Sequence, residues 1–306
     1  MYELCIFVVV INIRSYHHSF SGKTNMILQY FFKTKLTNKV WIVLFFINCN
    51  TIYGQNITGL IKNKTNNQPI EFANIGIVDK NIGTVSDLNG RFSFFVDQKY
   101  NNDTVQISFI GYKPLVIKVS DLRGVDEHIL FLEEKSYQLD EIIIKPKKFK
   151  QKTLGVTAKA KGMAAGFNNN LLGYECGILM KVKKIAFIKT ININIASCSY
   201  DTIFYRLNIY KVTEKMKFTN ILREPIYITL PKKSVKDEIS INVESRNIVV
   251  DGNFLVTLEH VKDLKGGHMY FCAGLGNKTY YRKTSQGKWE SVPIGVSISV
   301  NANVEK

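Results

Sequence analysis

The chain of 306 residues, 45% of them hydrophobic, is long enough to bury the cores of two domains of ordinary size, which excludes a disordered tail. Lysine and arginine outnumber aspartate and glutamate by 41 to 25, so the formal net charge is +16. The lysines are scattered through predicted strands and loops, as on an ordinary solvated surface. We therefore expect no nucleic-acid partner.

Residues 1–54 have the pattern of a secretory leader. From Met26 the chain carries three lysines, then the apolar run at residues 40–47, and then Gly54 before Gln55. The run is far shorter than the ~20 residues that a membrane-spanning helix needs, so a signal peptide that begins at Met26 is predicted. The alternative is an unusually long leader that begins further upstream. In either case the protein is expected to be exported.

The first predicted domain, residues 55–146, is a series of short β-strands. Within it, Asn89-Gly90 accepts positive φ at low cost, which predicts a tight hairpin between strands at residues 83–86 and 91–96. Turn residues separate the remaining runs at the spacing of a β-sandwich. These other predicted strands are residues 57–62, 72–78, 105–110, 115–119 and 128–132.

Five pieces occur in order along this domain: Gly59, NNQPIEFANIGI from residue 66, GTVSDLNGRFSF from residue 83, ISFIGYKP from residue 107, and LDEIIIKP from residue 139. Together they resemble the carboxypeptidase-regulatory-like domain. That domain is a small prealbumin-like β-sandwich at the N-termini of exported Gram-negative proteins, including TonB-dependent outer-membrane receptors. The resemblance implies a location in the periplasm, at the outer membrane or outside the cell.

The resemblance also limits the activity that we expect. In zinc carboxypeptidases this module lies beside the catalytic domain and is not itself catalytic, and the rest of this chain is too short for the plug and barrel of a receptor. A zinc peptidase needs clustered histidine and carboxylate ligands. Outside the leader, His128, His260 and His268 are isolated in sequence and no H-E-x-x-H motif occurs. The sequence therefore predicts no enzyme, no metal and no cofactor.

Residues 147–172 are predicted to be a basic linker that is rich in alanine, glycine and asparagine towards its end. Proline and the mutual repulsion of the lysines favour an extended, solvated segment at its start. An alternative to a plain hinge is a weak contact with an anionic surface such as lipid headgroups. The lysines that would make this contact are Lys145, Lys147, Lys148, Lys150 and Lys152.

The second predicted domain, residues 173–306, is again a succession of strands without a convincing amphipathic helix, which favours an antiparallel, jelly-roll-like β-sandwich. Its three cysteines, Cys176, Cys198 and Cys272, could form one disulfide or remain three buried thiols. The predicted strands are residues 183–196, 203–212, 226–230, 238–243, 254–258, 268–273, 278–282 and 296–300.

A group of aromatic residues near the end of this domain could bind a sugar, because a flat ring stacks on the apolar face of a pyranose. The candidates are Tyr270, Tyr280, Tyr281, Arg282 and Trp289. The alternative is that these side chains fill the core or cover sheet edges.

Three acids of the same domain, Glu259, Asp263 and Glu290, could supply the two carboxyl groups of a glycosidase. Glycoside hydrolysis needs these groups at a set distance, and the sequence does not give the distances between them. The function predicted first is an exported, non-catalytic binding or scaffold protein of the Gram-negative cell envelope, with a glycan or an envelope protein as partner. The alternatives are a carbohydrate-binding accessory of an outer-membrane uptake system, or a hydrolase of the carboxypeptidase or glycosidase type.

Overall fold

The computed structural model describes residues 54–136, 148–213 and 216–306. Apart from four short 3₁₀ helices, all regular structure in these residues is β-strand, which confirms the predicted all-β fold class. The leader, the motif at residues 139–146 and two of the predicted contact residues, Lys145 and Lys147, lie outside the described residues. No helix in the described part of the chain is long and apolar enough to cross a membrane.

The first sandwich is built from seven strands in two sheets. One sheet has the order β4-β1-β7, with β1 and β7 parallel, and the other has the antiparallel order β3-β2-β5-β6. Its strands are β1 (Gly54–Asn63), β2 (Asn74–Ile77), β3 (Gly83–Val85), β4 (Arg91–Asp97), β5 (Thr104–Ser108), β6 (Leu115–Lys118) and β7 (His128–Leu132).

Apolar side chains at every second position of these strands form the core of the first sandwich. Phe92, Phe94 and Val96 of β4 are buried and alternate with exposed residues, as strand geometry requires. They pack with Ile75 and Ile107 from the opposite sheet. The period-two pattern in the sequence therefore gives each sheet an apolar face, and these two faces pack together as the core of the sandwich.

The predicted hairpin between β3 and β4 is wrong, although its turn exists. Gly90 has a φ of 76° and donates to the Asp87 carbonyl over 3.0 Å. However, β3 pairs with β2 and β4 pairs with β1, so the chain crosses from one sheet to the other at this turn. The cause is Ser86, whose buried hydroxyl donates to the Ile70 carbonyl and accepts from the Ala73 amide, which ties the end of β3 to the preceding segment.

The second sandwich consists of a seven-stranded front sheet and an eight-stranded back sheet. The front sheet has the order β13-β12-β17-β10-β19-β20, with β14 also on β12; the back sheet has the order β21-β18-β11-β22-β8, with β15 and β16 on β11 and β9 on β18. The strands are β8 (Phe149–Gly155), β9 (Ala164–Phe167), β10 (Glu175–Met180), β11 (Ile185–Cys198), β12 (Thr202–Val212), β13 (Phe218–Asn220), β14 (Ile226–Pro231), β15 (Glu238–Asn242), β16 (Val249–Asp251), β17 (Phe254–His260), β18 (Met269–Gly274), β19 (Thr279–Arg282), β20 (Glu290–Val292), β21 (Gly295–Val296) and β22 (Ile298–Glu305).

All pairs in the second sandwich are antiparallel, and a large apolar core lies between its two sheets. Ile191 and Ile193 of β11 face Leu207 and Ile209 of β12 across this core, all four with no solvent exposure. The cysteines Cys176, Cys198 and Cys272 are free thiols, so this sandwich holds together by packing without a disulfide between them.

The predicted linker at residues 147–172 requires a correction. Its basic start forms β8, which pairs with β22 from Gly155 opposite Ser299 to Phe149 opposite Glu305, and its later part forms β9 on β18. The lysines of β8 project into solvent on an open edge strand, where charge is favourable because it discourages pairing with another chain. The basic segment is therefore a paired edge strand and not a free linker, despite the mutual repulsion of its lysines.

Candidate functional site

Four charged side chains form a row across four neighbouring strands of the front sheet. Arg206 of β12 lies opposite Glu259 of β17, which lies opposite Glu175 of β10, which lies opposite Arg282 of β19. Residues opposite one another on neighbouring strands share one face of the sheet. The exposed fractions of Arg206, Glu259, Glu175 and Arg282 are 2%, 0%, 0% and 7%, so the row has almost no contact with solvent.

The row forms two ion pairs. Arg206 donates from Nη2 and Nε to Oε2 of Glu259 over 2.8 and 3.1 Å. Arg282 donates from Nε to Oε2 of Glu175 over 2.8 Å, and its Nη2 lies 3.6 Å from Oε1 of Glu259. Two guanidinium groups thus neutralise two carboxylates, which is the condition for burying four charges.

Uncharged polar side chains from the next positions of the strands extend the network, although Oε1 of Glu259 has no hydrogen-bond partner among the described residues. Asn208 donates from Nδ2 to Glu175 over 2.9 Å and to Glu259 over 2.8 Å. The Tyr210 hydroxyl donates to Oε1 of Glu175 over 2.9 Å, and the Thr257 hydroxyl donates to the same oxygen. This face of the front sheet is polar and buried, whereas its other face supplies apolar residues to the core.

Burial and the neighbouring charges move the pKa values of the two carboxyl groups in opposite directions. Burial alone would raise the pKa of Glu259, but the charges of Arg206 and Arg282 outweigh it and hold that pKa below its usual value. Burial raises the pKa of Glu175; the charge of Arg282 opposes this shift and the charge of Glu259 adds to it. The Arg206–Glu259 pair is therefore the firmly ionised half of the row.

The first sandwich covers one end of this polar face. Arg206 donates from Nη1 to the Phe72 carbonyl over 2.6 Å and from Nη2 to Oδ1 of Asn74 over 2.5 Å. Gln286, in the segment after β19, donates to the Ser108 hydroxyl over 2.8 Å. The two sandwiches are therefore joined by polar side chains, of which Arg206 and Asn74 are buried and Gln286 and Ser108 are partly buried.

The remainder of the polar face, although its side chains are largely buried, lines a cleft of about 380 Å³ between the sandwiches. Phe109 and Tyr112 line it from the first sandwich, and Phe218 and Trp289 line it from the second. Trp289 is half-buried; its ring centre lies 4.9 Å from that of Phe218 and 5.2 Å from the guanidinium carbon of Arg282. The cleft thus combines aromatic walls with a polar floor.

The structure brings together three of the five predicted sugar-binding residues. Arg282 and Trp289 line the cleft, and Tyr280 projects from the same face of β19, with its ring 6.0 Å from that of Phe218. Tyr281 is on the opposite face, where it packs on Tyr174 and donates to Glu290, and Tyr270 lies on β18 of the back sheet, stacked on His268. Tyr281 and Tyr270 are therefore removed from the candidate site.

Most residues of the polar floor carry no clear signal in the sequence. Arg206, Asn208 and Tyr210 alternate with apolar residues along β12, a pattern that also describes a strand with one face in solvent. One signal could have identified them: β17 also alternates polar residues, Thr257 and Glu259, with apolar ones, so two strands share the same pattern. Sequence spacing does not reveal that a second sandwich covers this face.

The three acids proposed for a glycosidase do not converge. Glu259 lies in the buried row, Glu290 accepts from Tyr281 on the opposite face of the sheet, and Asp263 is an exposed loop residue that accepts from the Lys265 amide. Among the residues that the structure describes, no three histidine, cysteine, aspartate or glutamate side chains lie close enough to hold a metal ion.

Residues 57–144 match the family model of the CarboxypepD_reg-like domain. Residues 57–144 are a CarboxypepD_reg-like domain. This confirms the resemblance found in the sequence, and the match begins within β1 and includes all the later strands of the first sandwich. The candidate cleft therefore lies between the CarboxypepD_reg-like domain and the second sandwich.

Two solved structures are similar to the chain over most of its length, at low sequence identity. BcpA, the major pilin subunit of Bacillus cereus, is 11% identical over 80% of this chain and 69% of its own, with a TM-score of 0.16. The VP2 protein of infectious bursal disease virus, as the D431N mutant, is 8% identical over 83% of this chain and 63% of its own, with a TM-score of 0.17. Such TM-scores support no inference about this protein. No curated protein matches the chain.

Proposed function

We propose that this is a non-catalytic binding protein that holds a carbohydrate in the cleft between its CarboxypepD_reg-like domain and its second sandwich. The observation that carries the proposal is the half-buried Trp289 ring beside Phe218, next to a face of polar side chains that hydrogen-bond to one another. Pyranose rings present apolar C–H faces and polar hydroxyl rims, which suit an aromatic wall and a hydrogen-bonding floor respectively.

Several features of the cleft favour a neutral sugar over a strongly charged ligand. The guanidinium groups of Arg206 and Arg282 are already paired with carboxylates, so neither offers an unbalanced charge. Amide side chains, including Asn220 and Gln106, supply uncharged donors and acceptors at the wall. The volume of about 380 Å³ lies within the range of small-ligand sites.

The proposal of a non-catalytic role rests on the position of the carboxylates. A general acid or nucleophile must reach the substrate within hydrogen-bonding distance. Glu175 and Glu259 have no exposed surface and are engaged by arginine, asparagine and tyrosine side chains. Their role here is to fix the floor of the cleft.

We place this function at the Gram-negative cell envelope. The support is the leader-like pattern of residues 1–54 together with the CarboxypepD_reg-like domain. A scaffold role for an envelope protein is the second candidate, and the Arg206–Phe72 hydrogen bond favours it because it fixes one sandwich against the other.

A glycan array, followed by calorimetry on the best ligand, tests the carbohydrate proposal. Trp289→Ala should weaken binding by about tenfold or more, the loss of about 1.4 kcal/mol expected of an aromatic contact. Tyr270→Ala is the matched control, because it removes an aromatic ring of the same domain that lies outside the cleft. An array without ligands, or equal losses in the two variants, would contradict the proposal. The scaffold role would be favoured if no glycan binds and if the Trp289→Ala variant still binds an envelope protein.

A further inference from the structure

A second concave surface, distinct from the cleft, lies at the open edge of the second sandwich. It is a groove of about 520 Å³ between the edge strand β8 and the turn at residues 181–184 that follows β10. Five lysines line it: Lys152, Lys181, Lys183, Lys184 and Lys306. Of the lysines that the sequence nominated for an anionic contact, Lys152 lines this groove, and Lys148 and Lys150 are exposed near it along the same edge.

The positive charge of the groove is locally unbalanced. In the described residues none of its five lysines forms an ion pair with an acidic side chain, although Lys184 donates to the Lys306 carbonyl. Glu305 is the one acid in the lining. Elsewhere on the same sandwich lysines have acidic partners, such as Lys159 with Glu238 at 3.1 Å and Lys161 with Asp237 at 2.7 Å. A concave surface with one sign of charge concentrates ligands of the opposite sign.

The floor of the groove is apolar. Leu154, Val182 and Val304 lie between the lysines, the last two buried. An apolar floor with a rim of ammonium groups is complementary to a chain that has apolar ring faces and regularly spaced anionic groups. Lysine suits such a ligand because its flexible stem can follow charges whose positions vary along a polymer.

Two other anionic partners fit less well. No aromatic or arginine side chain lines the groove, so it offers neither a platform for stacking bases nor a bidentate contact for phosphate. The large apolar side chains that are exposed in the described part of the protein, such as Leu275 and Ile129, all lie outside the groove, so nothing there would enter a bilayer. The chemistry of the lining favours an acidic sugar polymer.

We propose that this groove binds an acidic polysaccharide, with its lysines on the carboxylate or sulfate groups and its apolar floor against the sugar rings. The groove shares no residue with the cleft, so this site is independent of the proposed function. It gives the protein two glycan-binding surfaces of different charge preference.

Affinity electrophoresis and calorimetry with polygalacturonate, and with uncharged dextran as the reference polymer, test the proposal. The variant Lys181→Gln/Lys183→Gln/Lys184→Gln should lose about tenfold in affinity for polygalacturonate. The matched control Lys232→Gln/Lys233→Gln/Lys236→Gln removes the same charge from an exposed segment beside Asp237 and Glu238, and should stay within about twofold of the parent. Thermal unfolding checks that both variants fold.

Three further results test whether the groove itself is responsible for binding. Equal losses in the two triple variants would show that net charge alone is responsible and would overturn the proposal. Tighter binding to duplex DNA or to vesicles containing phosphatidylglycerol than to polygalacturonate would also overturn it. Trp289→Ala should bind polygalacturonate like the parent, which separates failure of this site from failure of the cleft.

Discussion

Arg206 of the second sandwich donates to the backbone carbonyl of Phe72 in the CarboxypepD_reg-like domain over 2.6 Å, and the same guanidinium pairs with Glu259. One side chain therefore connects the buried charge row to the neighbouring domain. Because it is only 2% exposed, water cannot replace these partners while the interface is intact. The polar face of the front sheet and its cover are thus energetically dependent on each other.

Replacement of Arg206 by methionine should destabilise the whole protein. It leaves Glu259 buried with one guanidinium partner fewer, a change that typically costs about 3–5 kcal/mol in the free energy of unfolding. Urea denaturation measures the loss. Arg246→Met is the control, since Arg246 pairs with the exposed Glu224 and should cost no more than about 1 kcal/mol.

A second substitution sharpens this test. Glu259→Gln added to Arg206→Met removes the uncompensated charge, so the double variant should be more stable than the sum of the two single losses predicts. Additive losses would show that the two side chains do not interact as the structure describes.

Stability should depend on pH through His260, which has no exposed surface and no hydrogen-bond partner for either ring nitrogen among the described residues. Burial between Phe167 and Tyr205 lowers its pKa. The unfolded chain therefore binds a proton more readily than the folded one. Its contribution is fully present above the ordinary histidine pKa of about 6.5 and decreases as the pH falls towards the lower folded-state pKa.

His260→Phe removes this dependence, because phenylalanine fills the aromatic site without a proton to bind. Between pH 8 and pH 5.5 the parent should lose stability relative to the variant, by up to about 1.4 kcal/mol per pH unit within the titrating range. Urea denaturation at both pH values measures the difference, and the comparison at pH 8 serves as the control. Parallel pH profiles would contradict a buried neutral histidine.

The crossing between the sheets of the first sandwich depends on Gly90. Its φ is 76°, and a Cβ atom there would lie 2.6 Å from the Ile61 carbonyl oxygen. Gly124 has nearly the same φ, 75°, but no heavy atom within 4 Å of such a Cβ. Gly124→Ala should therefore cost only the left-handed backbone strain, about 1–2 kcal/mol, and Gly90→Ala should cost clearly more in thermal or urea unfolding. Equal costs would show that the crossing tolerates a side chain.

The strands of the first sandwich could be predicted from the sequence, because strands such as β4 and β5 bury alternate apolar residues in a local pattern. The sequence was not sufficient for their pairing, since the bonds of Ser86 to Ile70 and Ala73 decide which sheet β3 joins. The lysines of β8 indicated a free linker, which is wrong because the backbone of this segment pairs with β22. The composition of a segment does not indicate which distant strand its backbone will pair with.

The site was predictable only in part for the same reason. Trp289 and Arg282 were identified because aromatic and cationic residues cluster near them in sequence. Tyr281 was misassigned because one position along a strand reverses the face. The buried row could not be found from spacing, since an alternating strand has the same pattern whether its polar face meets water or another domain.

Export gives a further prediction. If residues 1–54 are a leader, protein recovered from the envelope or the medium should have its N-terminus near Gln55. Intact-mass measurement and N-terminal sequencing of that protein decide it. A mature N-terminus upstream of Met26 would contradict the assignment of the leader.

Trp289 and Trp41 are the two tryptophans of the sequence, and Trp41 lies within the predicted leader. In protein that begins at Gln55, tryptophan fluorescence therefore reports on the cleft wall alone. Titration with the best glycan from the array tests the binding proposal most directly. A sugar that covers the half-buried indole should shift its emission saturably to shorter wavelength, with the same affinity as calorimetry gives. Calorimetric binding without any change in Trp289 emission would place the ligand elsewhere and contradict the account.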